Sequence, residues 1–248
     1  MKAEYFWAQE SEIPAGYGYE PLGAEHLAVL GLICFIIIAG VILFRKCSEI
    51  VRVRVIRCVA VLLPVLESIK IGFLTVSGHM GIGYVPLHLC SMSIFLYPII
   101  AFSGNRSVRA FLFEISFCTL LPAAVSALVF PDWTMYPMIS FMNIYAYLWH
   151  TLQVLFPLFI LVRGGTELSF SHLWRNTVFL VGVGMPVYLF DRVNGCNYWF
   201  LLYPVPGTPL VPLSGLLGGA GYLPGLLLAA TMVNLCMYGI LSVVKRRR

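Results

Sequence analysis

Charge is what this sequence has least of. Only 11% of its 248 residues are charged, 60% are hydrophobic, and the mean hydropathy is +0.88. A soluble domain of this length needs far more polar surface, so an integral membrane protein is expected. Alternation of apolar and polar residues over strand-length segments is also missing, which excludes a transmembrane barrel. No internal repeat is visible, so an inverted-repeat transporter is not supported. CxxC and HExxH are absent, and no metal or other cofactor is expected. The first 25 residues hold five glutamates and no signal-peptide pattern.

What the sequence does have is long apolar runs. Seven are long enough to span a bilayer, at about 27–44, 55–77, 84–102, 109–130, 138–162, 174–192 and 222–244. Lipid offers no partner to bare backbone groups, so each run is expected to be an α-helix. The expected fold is therefore all-α: a polytopic bundle of seven transmembrane helices over 27–248, preceded by an extracellular tail at 1–26.

Basic residues orient the bundle. Arg45, Lys46, Arg52, Arg54, Arg57, Arg106, Arg109, Arg163, Arg175 and Lys245 to Arg248 all fall on one side, thirteen of the 16 Lys and Arg. The positive-inside rule makes that side cytoplasmic, with the N-terminus outside, the C-terminus inside, and a multi-pass protein of the cell membrane. Lys2 and Arg192 fall outside, and Lys70 lies within a helix. The net charge of +5 reflects this topology and calls for no nucleic acid.

The seven cysteines form no extracellular disulfide framework, since only Cys196 falls at the outer edge. Most read as small apolar packing residues. Prolines recur in six of the spans (Pro64, Pro86 with Pro98, Pro122, Pro157, Pro186 and Pro224), where they free carbonyls and kink helices.

Ionisable residues inside a membrane point to function by default. At about 1.5 Å per residue, Cys90 and Lys70 lie roughly 10 Å below the outer surface, and Glu67 and His150 roughly 15–18 Å below it. His26 enters the first helix, and Asn194, Asn197 and Tyr198 sit at the outer end of the sixth. Five helices thus bring polar groups to the outer half, while Glu114 lies near the cytoplasmic end of the fourth. Glu67 and Lys70 are three apart and can neutralise each other on one helix face. On a continuous helix His88 and Cys90 are about 200° apart, and His88 shares its face with Ser91.

Four segments carry a family resemblance: "PLHLCSMSIFL" in the third span, "GAEHLAVL" at the first, His150 followed by "LFPLFIL", and "NGCNYWFLLYPVPGT" after the sixth. Together they resemble the YwaF family of seven-helix membrane proteins. Cys196, where that family has threonine, and the glycine-rich "GLLGGAGYLP", where it favours tryptophan, are departures. That family is distantly similar to eukaryotic transmembrane cysteine-dependent phospholipid acyltransferases.

The kinship implies that Cys90 is a nucleophile taking an acyl chain from a phospholipid as a thioester, then passing it to a lysolipid or to water. A thiol near lipid is protonated and needs a base; His150 is best placed by depth and His26 second. Asn197 or a backbone N–H of the Gly195 turn would steady the oxyanion. His88, Glu67, Lys70, His26, Ser91, Asn194 and Tyr198 would line the substrate pocket, with membrane lipids as partners. The alternative is a binding or transport protein for a small polar or lipid ligand, in which His88, His150, Glu67, Lys70 and Asn197 are contacts and Cys90 is a bystander. A scaffold whose polar groups merely lock helices is a third reading, though interhelical hydrogen bonds average only about 0.6 kcal/mol.

Overall fold

A computed structural model describes residues 5–164 and 169–246, with 241–246 as backbone only. Lys2, Arg247 and Arg248, which enter the orientation argument, lie outside the described residues. The chain forms α1 (Ala24–Lys46), α2 (Glu49–Val76), α3 (Ser93–Phe102), α4 (Arg106–Ile115), α5 (Leu121–Val129), α6 (Phe141–Arg163), α7 (Leu173–Asn194) and α8 (Leu210–Arg246). No strand occurs among the described residues. A π-helical turn, Ser116–Leu120, joins α4 and α5 into one run.

Among the described residues six segments are long and apolar enough to cross a membrane: Ala24–Lys46, Glu49–Val76, Arg106–Val129, Phe141–Arg163, Phe170–Asn194 and Leu210–Ile240. The seventh apolar helix, Cys90–Phe102, is shorter. This corrects the expected span 84–102. Val85 precedes Pro86, whose ring disfavours the helical region for its neighbour. Val85 to Leu89 is irregular, and a 3₁₀ turn (Cys90–Met92) leads into α3. The last helix starts earlier than the expected 222, at Leu210, and is broken at Gly218, whose φ of 67° suits glycine.

The chain divides into two compact units, 1–80 with 124–164 and 81–123 with 165–248. In the first, α6 packs on both α1 and α2. Its buried residues include Asn143, Tyr147, His150, Thr151, Gln153, Val154 and Phe156, covering most of its circumference. Ser140 caps it by accepting from Asn143 N–H at 3.3 Å. Phe44 of α1 stacks on Phe159 with centroids 4.4 Å apart.

The segment before α1 is folded onto this unit. Phe6 O accepts from Phe141 N–H at 2.8 Å, and Thr134 O from Tyr19 N–H at 3.0 Å. A Cβ on Gly18 would stand 2.1 Å from Thr134 O, so this approach requires glycine. It delivers the Tyr19 ring to the core with Ile33, Ala124, Leu128, Tyr147 and Val154.

In the second unit, α4 is capped by Asn105, whose Oδ1 accepts from Ser107 N–H at 2.9 Å and Val108 N–H at 3.2 Å. The π turn follows from Pro122. With no N–H at that position and its ring against the carbonyl four residues back, the helix widens, and Leu121 N–H reaches Ser116 O. Helix α7 ends at Gly195, in the left-handed region at φ 68°, with its N–H on Asp191 O at 2.9 Å.

Candidate functional site

In the first unit, α2 and α6 build a polar cluster. Lys70 Nζ lies 2.7 Å from Glu67 Oε1, and the Tyr145 hydroxyl donates to Glu67 Oε2 at 2.6 Å. Glu67 is only 3% exposed. Lys70 Nζ also sits 5.6 Å from the Tyr145 ring centroid, a cation–π contact. Both carboxylate oxygens are thus engaged, and the expected neutralisation along α2 gains a phenol from α6.

His150 lies one turn further along α6. Its Nδ1 is 2.7 Å from Ala146 O. A carbonyl only accepts, so Nδ1 carries the proton and, in the neutral ring, Nε2 holds the lone pair. The imidazole stacks on Trp133, with centroids 5.1 Å apart and planes at 13°. A ring fixed in orientation and tautomer is what a general base needs.

His26 is different. Leu22 N–H donates to its Nδ1 at 2.9 Å, so Nε2 carries the proton and donates to Leu128 O at 2.9 Å. The residue is 0% exposed. Both nitrogens are committed to backbone, and His26 ties the turn before α1 to α5.

The second unit holds His88, Cys90, Ser91, Asn194, Asn197 and Tyr198. His88 precedes the helix, so the 200° separation from Cys90 on a continuous helix does not apply. Its ring meets Tyr198 edge to face at 4.6 Å. Its carbonyl accepts from Ser91 N–H at 2.9 Å, and Ser91 is buried. Cys90 opens the 3₁₀ turn, half-buried, at the start of its helix rather than part-way down it. Its carbonyl accepts from Ser93 Oγ at 2.7 Å.

The loop after α7 is pinned to the segment before α3. The Trp199 indole N–H donates to Leu87 O at 2.7 Å, and the Tyr198 hydroxyl donates to Ile82 O. Asn197 folds the loop on itself. Its Oδ1 accepts from Leu202 N–H at 3.0 Å and Tyr203 N–H at 3.4 Å, and its Nδ2 donates to Tyr203 O at 2.9 Å. An oxyanion role would require Asn197 to leave these bonds, and the Gly195 N–H already closes α7. Asn194 is exposed and donates to Phe190 O at 2.9 Å.

Sequence reasoning missed several residues. Tyr145 and Trp133 carry no signal in sequence beyond an aromatic in a membrane helix or loop. A buried network, of which sequence reasoning singled out only Glu114, also joins α4, α7 and α8. Glu114, 0% exposed, is paired with His172 at 3.1 Å and Arg175 at 3.0 Å. Thr119 lies within hydrogen-bond distance of Asn176 Oδ1 (2.9 Å) and Asn234 Oδ1 (3.2 Å), and Asn176 donates to the Tyr238 hydroxyl at 3.1 Å. Among the described residues no group of three or more His, Cys, Asp or Glu is arranged to hold a metal ion.

Apolar helices of spanning length with buried ionisable clusters define a multi-pass membrane protein. A family model described as the TMEM164 family matches residues 21–241, and the chain belongs to this family of transmembrane proteins. The match agrees in kind, though not in name, with the YwaF resemblance. Neither a curated protein nor a solved structure matches the chain.

Proposed function

We propose that this protein is a membrane-embedded lipid acyltransferase or acyl hydrolase, with Cys90 as nucleophile and His150 as base and an outward-facing polar pocket that admits a phospholipid. The observation that carries this reading is His150 itself: a buried imidazole whose Nδ1–H is held by Ala146 O and whose other nitrogen is therefore the basic one. Cys90 supports it by standing half-buried at a helix entrance. The two residues belong to different units, and each is assigned its role on its own chemistry.

In this reading the Cys90 thiol gives its proton to a general base, and the thiolate attacks an ester carbonyl of a phospholipid. The tetrahedral intermediate collapses by expelling the glycerol oxygen, which takes the proton from the protonated base and leaves as a lysolipid. A second lysolipid hydroxyl, or water, then gives a proton to the base and attacks the thioester, and the Cys90 thiolate leaves and is reprotonated.

The test is purified protein incubated with phospholipid carrying a labelled acyl chain. A hydroxylamine-sensitive adduct is expected, absent in Cys90→Ala and formed at least 100-fold more slowly in His150→Ala. Label that persists in Cys90→Ala, or neither adduct nor lipid turnover across phospholipid classes, transfers the assignment to a non-catalytic binding or transport protein.

A further inference from the structure

Helix α2 is longer than the layer it has to cross. Its 28 residues reach about 42 Å at 1.5 Å each, against roughly 30 Å of hydrocarbon. The end at Val76 is apolar, so the surplus falls at the other end. Counted back from Val76, about 30 Å of helix runs out at Arg57. Arg57 therefore stands at the edge of the hydrocarbon, and Arg54, one turn further out, among the headgroups.

Both arginines are exposed, on one face with Ile50, Val61 and Val65, which are exposed too. This face lies opposite the buried one, which carries Ile56, Val59, Ala60 and Leu63. Like charges three residues apart on a helix repel each other. The other basic residues of this end are accounted for. Arg45 and Lys46 close α1, where the helix dipole favours cations, and the Arg52 guanidinium donates to Phe44 O and Arg45 O across the turn. The two acidic residues of α2 are engaged elsewhere, Glu49 by Arg163 at 2.6 Å and Glu67 by Lys70 at 2.7 Å. An anion held between Arg54 and Arg57 has to come from outside the helix, and phosphate is the anion of the headgroup layer. Guanidinium groups match it with paired N–H donors.

We propose that Arg54 and Arg57 hold the headgroup phosphate of an anionic phospholipid, whose acyl chains run along Val61 and Val65. A zwitterionic headgroup fits less well, because its ammonium meets two guanidinium groups and no carboxylate. The orientation read from the basic residues puts this end in the cytoplasmic leaflet, where anionic lipids carry the surface charge. The site is independent of the acyl chemistry.

Native mass spectrometry of the purified full-length protein reads the preference. The protein is released from nonionic detergent after mixing with equimolar dioleoyl phosphatidylglycerol and dioleoyl phosphatidylcholine. Phosphatidylglycerol is expected to be retained in preference. Arg54→Gln with Arg57→Gln should weaken its binding roughly 25-fold, about fivefold for each basic residue. Arg45→Gln with Lys46→Gln removes the same charge from the end of α1 and should cost far less. A readout on the wild type does not depend on how the variants fold: phosphatidylglycerol with a diazirine on its acyl chain should label α2 around Val61 and Val65.

Equal retention of the two lipids overturns the proposal. So does an equal loss from both double variants, which means diffuse attraction to a basic surface, and so does label confined to other helices. Displacement of the lipid by an equimolar poly-glutamate peptide makes the face a protein dock and removes the lipid. Cys90→Ala is expected to retain phosphatidylglycerol as the wild type does, so a failed acyl assay leaves this site standing.

Discussion

The Tyr145 hydroxyl donates to Glu67 Oε2 at 2.6 Å, fastening α6 to α2 where Lys70 already holds the other oxygen at 2.7 Å. Removing one partner leaves a buried charge without compensation, and removing both charges does not. Lys70→Met is therefore expected to destabilise the protein by about 3 kcal/mol, while Glu67→Gln with Lys70→Met stays within about 1 kcal/mol of wild type. Denaturation of both variants in the same detergent checks the order. If the double variant is the less stable, the cluster is not a self-contained ion pair.

His26 is a second case in which geometry separates a structural role from a catalytic one. His26→Ala strands Leu22 N–H and Leu128 O, at about 1–3 kcal/mol for each buried group. Stability should fall by a few kcal/mol, while the rate of acyl-adduct formation per folded molecule stays at the wild-type value. A drop in that rate comparable to the His150→Ala effect would instead make His26 the base.

Orientation rests on the basic residues, which lie around Arg45 to Arg57, Arg106 to Arg109, Arg163 to Arg175 and the C-terminus. In intact cells, on a background lacking native cysteines, a cysteine placed beside Arg248 should resist a membrane-impermeant maleimide, and one at Gly16 should react. The reverse pattern would invert the topology and place the proposed pocket on the cytoplasmic side.

Hydropathy made the bundle legible because apolar length is read locally. Its main miss is the start of the third span: Val85 to Leu89 is apolar enough to count as helix, yet Pro86 disfavours the helical region at Val85 and the chain stays irregular to Leu89. The polar sites were legible only as single residues. Glu67 and Lys70 are neighbours in sequence and were paired from spacing alone, whereas Tyr145 joins them from 78 residues away. Asp191 stands beside Arg192 at a helix end in sequence, and only coordinates reveal that it is buried. Asn197 drew attention through its motif, but a carboxamide in a turn serves loop closure as readily as catalysis, and sequence does not tell these apart.

The two left-handed residues at Trp199 and Phe200 impose an order of assembly. Each conformation costs on the order of 1–3 kcal/mol for a residue with a side chain, and aromatic side chains offer none of glycine's tolerance. Besides the Asn197 bonds within the loop and the Tyr222 hydroxyl on Phe200 O, the turn is held by the Trp199 indole on Leu87 O and the Tyr198 hydroxyl on Ile82 O. Both acceptors precede α3, Ile82 at the start of a 3₁₀ turn and Leu87 in the irregular stretch after Pro86. Until that stretch has taken its path, the loop after α7 lacks these two contacts, which join residues more than a hundred positions apart. The loop therefore closes fully only after the segment before α3 is in place.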